Sequence, residues 1–377
     1  MSLSSAVKGA RLAAGLSQSD LAKRLGVTQS TIALWETGKT APKRSMMPKL
    51  AAALRVTVLD LEHGTGAFTG ALGSVSYFQE GHRTMSTPSP TAIVNPAQDN
   101  PVIAFQGVLG AYSHLAARGA FPAMEPLPCP TFQDAFAAVE EGRAGLAMIP
   151  IENSLGGRVA DIHHLLPESN LFIIGEYFQP VHHCLLVPKG GSFETVKEAR
   201  SHEQAQAQCR NTLRELKIKP VIAADTAGAA QDVAKLNDPS VAAVASTLAA
   251  ETYGLDILRP RIEDRIGNVT RFIVMSRTRI EPDPRSGPCL TSFVFTVRSV
   301  PASLYKSLGG FATNGVNMIK LESYISVGDD SRARFYAEIE GHPADKSVDQ
   351  AMEELQFFTS KIKLLGTYRQ ADYRAEE

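Results

Sequence analysis

Three rhythms of apolar residues follow one another along this chain, and no single hydrophobic core can satisfy all three. Up to residue 62, apolar positions recur at helical spacing in short runs; from Val102 to Met275, short apolar runs alternate with helical stretches; from Ser292 to Tyr368, the order becomes strand, helix, strand, strand, helix, strand. Each rhythm asks for a different layering of helices and sheets, so separate domains follow. A length of 377 residues favours the same division. Between the first two rhythms lies a stretch rich in Gly, Ser, Thr and Pro, including Thr84-Met85-Ser86-Thr87-Pro88-Ser89-Pro90, which reads as a linker. The expected layout is a helical head over 1–62, a linker over 63–100, an α/β body over 101–277 and an α+β tail over 288–370.

In the head, Ser17 with Asp20 forms a helix start, Leu21, Ala22 and Leu25 follow at helical spacing, and Gly26 ends the run. Thr28 caps the next helix, Gln29 to Glu36, which buries Ile32 and the sole tryptophan, Trp35, before Gly38. Further helices are expected over Pro48–Leu54 and Thr57–Leu61. Residues 1–62 carry nine Lys/Arg against four Asp/Glu, and the rest of the chain twenty-nine against thirty-five. A basic head on an acidic body points to an anionic partner for the head alone. The segment Ser17–Gly38 resembles the helix-turn-helix of the phage-repressor-like family. That resemblance implies DNA binding, with Gln29, Ser30 and Thr31 toward base edges and Gln18 and Lys39 toward phosphates. A small bundle kept for protein contacts is the competing reading. One head binds weakly, so half-site recognition would need a homodimer or homotetramer.

In the body, strands are expected over Val102–Phe105, Gly145–Ile149, Leu171–Ile174, His183–Val187, Val221–Ala224, Val241–Ala245 and Arg271–Met275. The helices between them, from Ser113 and over Phe132–Glu140, Glu203–Leu216, Gly228–Leu236 and Thr247–Tyr253, make an α/β alternation with room for two lobes and a cleft. Three stretches carry chemistry. They are Ile149-Pro150-Ile151-Glu152-Asn153-Ser154 with Gly156-Gly157, then Ser201-His202-Glu203-Gln204-Ala205, then Gly267-Asn268-Val269-Thr270-Arg271-Phe272.

Together these stretches resemble prephenate dehydratase over almost the whole body. The resemblance implies two α/β lobes arranged like a periplasmic binding protein, and loss of carbon dioxide and water from prephenate to give phenylpyruvate. Decarboxylation there releases electrons into a ring that becomes aromatic, so no cofactor is implied. The protein supplies an anion cradle and a donor for the departing hydroxyl. The resemblance makes Thr270 that donor, Arg271 a bidentate grip on a carboxylate, and Asn153, Ser154, Ser113 and Phe272 the substrate contacts. Backbone amides after Glu152 would serve as donors if they open a helix. Glu152 is either a catalytic group or a partner of that helix dipole, and both readings stand. Gly107-Val108-Leu109-Gly110-Ala111-Tyr112-Ser113 departs from the family pattern at Val108 and Ala111, and Ser113 is a carboxylate binder or an N-cap. The pairs His163-His164 and His182-His183 lack ligand spacing, so no metal is expected.

In the tail, Phe293, Phe295 and Val297 alternate with polar neighbours, as do Phe335, Ala337 and Ile339, which predicts a ferredoxin-like βαββαβ sheet covered by helices on one face only. Residues from about Thr291 to Tyr368 resemble an ACT domain, a module that binds amino acids between paired copies. The resemblance implies phenylalanine as an effector held at Ala302, Ser303, Leu304, Glu322 and Ser323, with simple dimerisation as the bland alternative. The four scattered cysteines make no disulfide framework or zinc pair. With no leader and no apolar run long enough for a membrane span, a cytoplasmic protein without membrane contact is expected. A second functional class stays open, a transcription regulator that senses an aromatic metabolite without turning it over.

Overall fold

The computed structural model describes residues 3–13, 16–43, 46–54, 100–159, 162–325 and 333–375. The expected helix over Thr57–Leu61 and the linker over 63–99 lie outside them. The chain divides into two compact units, 1–83 and 84–377.

The first unit contains helices α1 (Leu3–Ala13), α2 (Gln18–Leu25), α3 (Gln29–Glu36) and α4 (Met47–Leu54). The Ser17 side chain accepts the Asp20 amide while Asp20 reaches back to the Ser17 amide, and Gly26 ends α2 at φ 68°. Thr28 caps α3 by accepting the Thr31 amide. The core gathers Val7, Leu21, Ile32, Trp35, Leu50 and Leu54, with Val27 packed half-buried against it. Arg11 pairs with Glu36, both nearly buried, and Gln18 Nε2 donates to the same carboxylate at 2.8 Å. Gln18, expected at phosphates, is thus held inward. Gln29, Ser30 and Lys39 are exposed, and Thr31 is half-buried with its hydroxyl 2.9 Å from that of Thr28.

The second unit is built on three sheets. The first uses β1 (Val102–Gln106), β2 (Glu125–Cys129), β3 (Leu146–Asn153), β4 (Gly157–Arg158), β5 (Phe172–Pro180) and β11 (Val269–Ser276), in order β2-β1-β3-β11-β5 with β4 paired to β3. Helices α5 (Tyr112–Ala120), α6 (Phe132–Glu140) and α7 (Ile162–Leu165) accompany it. The second sheet, in order β10-β6-β9-β7-β8, uses β6 (Cys184–Val187), β7 (Glu198–Ser201), β8 (Lys219–Ile222), β9 (Val241–Ala245) and β10 (Asp256–Arg259). Its helices are α8 (Glu203–Gln208), α9 (Arg210–Glu215), α10 (Thr226–Leu236) and α11 (Thr247–Tyr253). The single helix expected over Glu203–Leu216 is two, broken at Cys209. Both sheets mix parallel and antiparallel pairs: in the first, β11 lies antiparallel between β3 and β5, and in the second, β6 lies antiparallel between β10 and β9.

The chain passes between these sheets twice, near 181–183 and 262–268, and the two passages run side by side. Val181 donates its amide to Asn268 at 2.8 Å, and Ile262 to His183 at 2.8 Å. A second tie joins the loop before α5 to α11. Ser246 Oγ donates to the Gly110 carbonyl at 2.7 Å, and Gly110, at φ 86°, sits so close to Ala249 that a Cβ would lie 2.8 Å from its Cα.

The third sheet runs β13-β14-β12-β15, from β12 (Cys289–Val297), β13 (Met318–Ile325), β14 (Ala333–Glu340) and β15 (Thr359–Arg369), with α12 (Ser303–Thr313) after β12 and α13 (Lys346–Phe358) after β14. Phe293, Phe295, Phe335 and Ile339 face a core shared with Phe311, Val348 and Leu355 of the helices. The helices cover this face alone, as expected, but the opposite face is not open. Leu290, Val294, Tyr336, Leu365 and Tyr368, on the opposite face, share a core with Ile149, Ile151, Ile173 and Ile273 of the first sheet. The contact is backbone-close at Gly366, where a Cβ would overlap the Ile173 carbonyl. Among the described residues no helix is long and apolar enough to cross a membrane.

Candidate active site

Strands β3 and β11 pair with Thr270 opposite Asn153 and Arg271 opposite Glu152, and then slip so that Phe272 lies opposite Pro150. The slip is a β-bulge that leaves Ile151 as the extra residue on β3. Its effect can be read from the cores. Leu146 and Met148 face the cluster of Phe105 and α5, whereas Ala147, Ile149 and Ile151 face the third sheet. Strict alternation would send Glu152 to the α5 side and Asn153 to the third-sheet side. The bulge exchanges them.

Asn153 therefore lies beside Thr270. Its Nδ2 donates to Thr270 Oγ1 at 2.9 Å and to Asn268 Oδ1 at 2.7 Å. Its Oδ1 accepts the amides of Leu155 at 3.1 Å and Gly156 at 2.7 Å. Residues 154–156 form the turn between β3 and β4, so the amides after Glu152 open no helix. That expectation is corrected, and with it the helix-dipole reading of Glu152. Ser154 secures the turn: its Oγ donates to the Gly267 carbonyl at 3.1 Å and accepts the Val269 amide at 3.0 Å.

From Asn268 the polar chain continues into the second lobe. Asn268 Nδ2 donates to Gln208 Oε1 at 2.9 Å, and His183 Nε2 lies 2.8 Å from the same oxygen. An oxygen that only accepts takes the proton of His183 Nε2, and Nδ1 faces the Tyr112 hydroxyl 2.8 Å away, which donates to the His182 carbonyl at 2.7 Å. Burial holds the His183 pKa below its ordinary value, keeping the ring neutral. Gln208 and Asn268 also line a cavity of about 360 Å³, together with Gly156, Gln204, Arg210 and Arg265. Both arginines are exposed, and neither has an ion-pair partner among the described residues.

Arg271 requires a correction. Its side chain is 2% exposed and points away from Thr270, as neighbours on a strand must. Nε donates to Glu176 at 2.7 Å, Nη1 to Glu338 at 2.7 Å and Glu152 at 3.2 Å, and Nη2 to the Tyr368 hydroxyl at 3.2 Å. A guanidinium so occupied has no fork left for a substrate carboxylate. Glu152, expected near the chemistry, joins the same cluster and pairs with Lys320. Burial pushes the Glu152 pKa up, but Lys320 and Arg271 outweigh it and the carboxyl is held below its usual range. Phe272 is a core residue at 1% exposure, packed with Phe105 and Met148. Ser113 lies inside α5 and is nearly buried, while Ala111 occupies the N-cap position with no side-chain cap, so the N-cap reading of Ser113 falls.

The effector candidates divide. Ala302 stands at φ 59° before α12, Ser303 is nearly buried and Leu304 half-buried. Glu322 instead pairs with Arg158 of β4 at 3.2 Å, and the Ser323 carbonyl accepts from the same arginine. Among the described residues no hydrogen bond joins the two groups. The sequence reading passed over Glu176, Glu338, Lys320, Gln208, Arg210 and Arg265. Only Gln208 carried a local signal, one helical turn beyond Gln204, the fourth residue of the stretch 201–205.

Comparison with known proteins bears on this arrangement. A family model described as prephenate dehydratase matches residues 103–280, and one described as helix-turn-helix matches 7–61. The chain is 47% identical over 273 residues to a bifunctional N-acyl-homoserine lactone acylase/prephenate dehydratase of Komagataeibacter europaeus, covering 72% of this chain and 97% of that relative. It is 40% identical over 280 residues to arogenate dehydratase/prephenate dehydratase 1 of Arabidopsis thaliana, covering 71% of each. The crystal structure of a prephenate dehydratase from Arthrobacter aurescens in complex with L-Phe superposes with a TM-score of 0.66 at 30% identity, covering 72% of this chain and 90% of that one.

Proposed function

This chain belongs to the prephenate dehydratase family, and from that premise we propose that it converts prephenate to phenylpyruvate, carbon dioxide and water at the junction of its two α/β lobes. One observation carries the reading: two motifs more than a hundred residues apart meet as the Asn153–Thr270 pair, beside a cavity lined by two exposed arginines.

The chemistry follows from that geometry. Thr270 Oγ1 accepts from Asn153, so its own proton is free to point at a leaving oxygen. Arg210 and Arg265 take the place first assigned to Arg271 and hold the substrate carboxylates. Cleavage of the ring carbon–carboxylate bond sends its electron pair through the diene and expels the ring hydroxyl, which leaves as water after gaining a proton. A threonine hydroxyl is a weak acid, so Thr270 contributes a hydrogen bond to the departing oxygen, with the proton relayed through water. The ring itself absorbs the electrons, and the reaction calls for no cofactor. Arogenate differs from prephenate by one amino group, and the names of the relatives include both activities.

The βαββαβ order of the third sheet and its strand arrangement fit a ferredoxin-like ACT domain. A relative bound to L-Phe supports phenylalanine as the effector. Because no hydrogen bond joins Ala302–Leu304 to Glu322–Ser323 among the described residues of one chain, we assign the ligand to a pair of copies in a homodimer or homotetramer. The lobes fit the two-lobed plan of periplasmic binding proteins. The head, through Gln29, Ser30, Thr31 and Lys39, is assigned to DNA on the support of the helix-turn-helix match. The cytoplasm is the setting this reading assumes. Purified chain mixed with prephenate or arogenate, with phenylpyruvate or phenylalanine followed as product, tests the central assignment.

A further inference from the structure

Six charged groups, drawn from both sides of the contact between the first and third sheets, form one cluster beneath the Asn153–Thr270 pair. Arg271, Arg374 and Lys320 meet Glu152, Glu176 and Glu338, while the buried hydroxyl of Tyr336 donates to Glu338 and that of Tyr368 accepts from Arg271. Three cations face three carboxylates, and the Glu176 and Glu338 side chains are fully buried. Charge balance at that depth ties Glu176 and Glu338 to Arg271, since an unpaired buried ion is costly, while Glu152 and Arg374 sit nearer the surface. Two members, Lys320 on β13 and Glu338 on β14, come from the βαββαβ unit.

We propose that Lys320 and Glu338 are positioning residues for the reaction, acting on Asn153 by holding the β3 bulge in place. The step from one to the other is geometric. Lys320 grips one oxygen of Glu152, and Arg271, itself held by Glu338, grips the other. Glu152 can face the third sheet only because of the bulge. The same bulge turns the next residue, Asn153, toward Thr270. If the grip on Glu152 is released, strict alternation becomes available, and it would carry the Asn153 amide out of reach of both Thr270 and Asn268. The βαββαβ unit then backs the site from the opposite face of the first sheet, and a shift of β13 or β14 reaches Asn153 through the ion pairs of Glu152 with Lys320 and Arg271.

This inference rests on the proposed dehydratase activity, so its test has one arm that does not. Lys320→Met keeps the length of the side chain and removes the charge. Amide hydrogen exchange over 152–156 should then speed by about tenfold or more, because the Leu155 and Gly156 amides lose the Asn153 oxygen that protects them. With prephenate, kcat should fall roughly 10- to 100-fold while KM moves less than about threefold. In an Asn153→Ala background the same Lys320→Met change should add almost nothing to the loss in kcat, because both act through one amide. Lys320→Arg should recover most of the loss. Glu338→Gln, isosteric and uncharged, is the second variant should Lys320→Met fail to fold. Unchanged exchange over 152–156, or losses in kcat that simply multiply in the double variant, would overturn the proposal. Absence of turnover by the unaltered chain would instead overturn the proposed function, and the exchange arm would still decide this inference.

Discussion

Acid should weaken the contact between the first and third sheets through His163, and the size of the effect can be worked from its surroundings. The imidazole is 3% exposed on α7, edge-on to Tyr336 at 5.4 Å and tilted against Tyr324 at 6.4 Å. Among the described residues neither ring nitrogen has a hydrogen-bond partner. Burial, reinforced by the nearby charges of Lys320 and Arg158 and partly opposed by Glu322, holds the pKa down to about 4 from an ordinary 6.5. The unfolded chain takes up this proton as the pH falls through 6.5, and the folded chain does not until about 4. Stability is therefore fullest above 6.5, falls between 6.5 and 4, and the whole contribution is gone below that range. The shift corresponds to about 3 kcal/mol, of which about 2 kcal/mol is lost by roughly pH 5. His163→Phe keeps the ring packing and removes the titration. Urea unfolding followed by circular dichroism at about pH 7 and pH 5 measures both proteins; fluorescence will not serve, since the sole tryptophan, Trp35, lies in the head. The variant should lose about 2 kcal/mol less on acidification than the unaltered chain. Equal losses in the two proteins would refute the reasoning.

Arg271→Met should cost roughly 3–5 kcal/mol, because it strands Glu176 and Glu338 as buried carboxylates with fewer cations; a midpoint of unfolding that does not move would contradict the cluster. Gly366→Ala should lower the thermal midpoint sharply, since the added methyl meets the Ile173 carbonyl, and a fully stable variant would disprove that close approach. For the head, Lys39→Ala should weaken DNA binding evenly across sequences and lower the salt slope by about 1, whereas an unaltered slope in gel-shift titrations would remove Lys39 from the phosphate contacts.

Much of the layout was legible because it is local. Caps such as Ser17 with Asp20 and Thr28, the apolar run of β9 and the order of the last six elements each announce themselves within a few residues. The strands that escaped notice lacked that signal. β2 carries Pro126 and Pro128, tolerable only because it is an edge strand, and β7 and β10 are only four residues each with charged residues at or near their ends. The site was half legible. Asn153 and Thr270 stood out as motif residues, and the structure brings them together. Arg271 was assigned to the wrong face because a motif gives neighbours without giving directions, and strand alternation separates Thr270 from it. Glu152 failed for a subtler reason, since one slipped residue at Ile151 reverses the facing of everything after it on β3. Partners such as Glu338, 67 residues from Arg271 in sequence, leave no trace in local pattern.

The central claim is that Thr270, held by Asn153, assists departure of the ring hydroxyl. The most direct measurement is the single-turnover rate of the purified chain with prephenate, compared with that of Thr270→Ala. The expected result is ready formation of phenylpyruvate by the unaltered chain and a loss of about 10²–10³ in the variant, with substrate affinity little changed. Equal rates for the two proteins would contradict it.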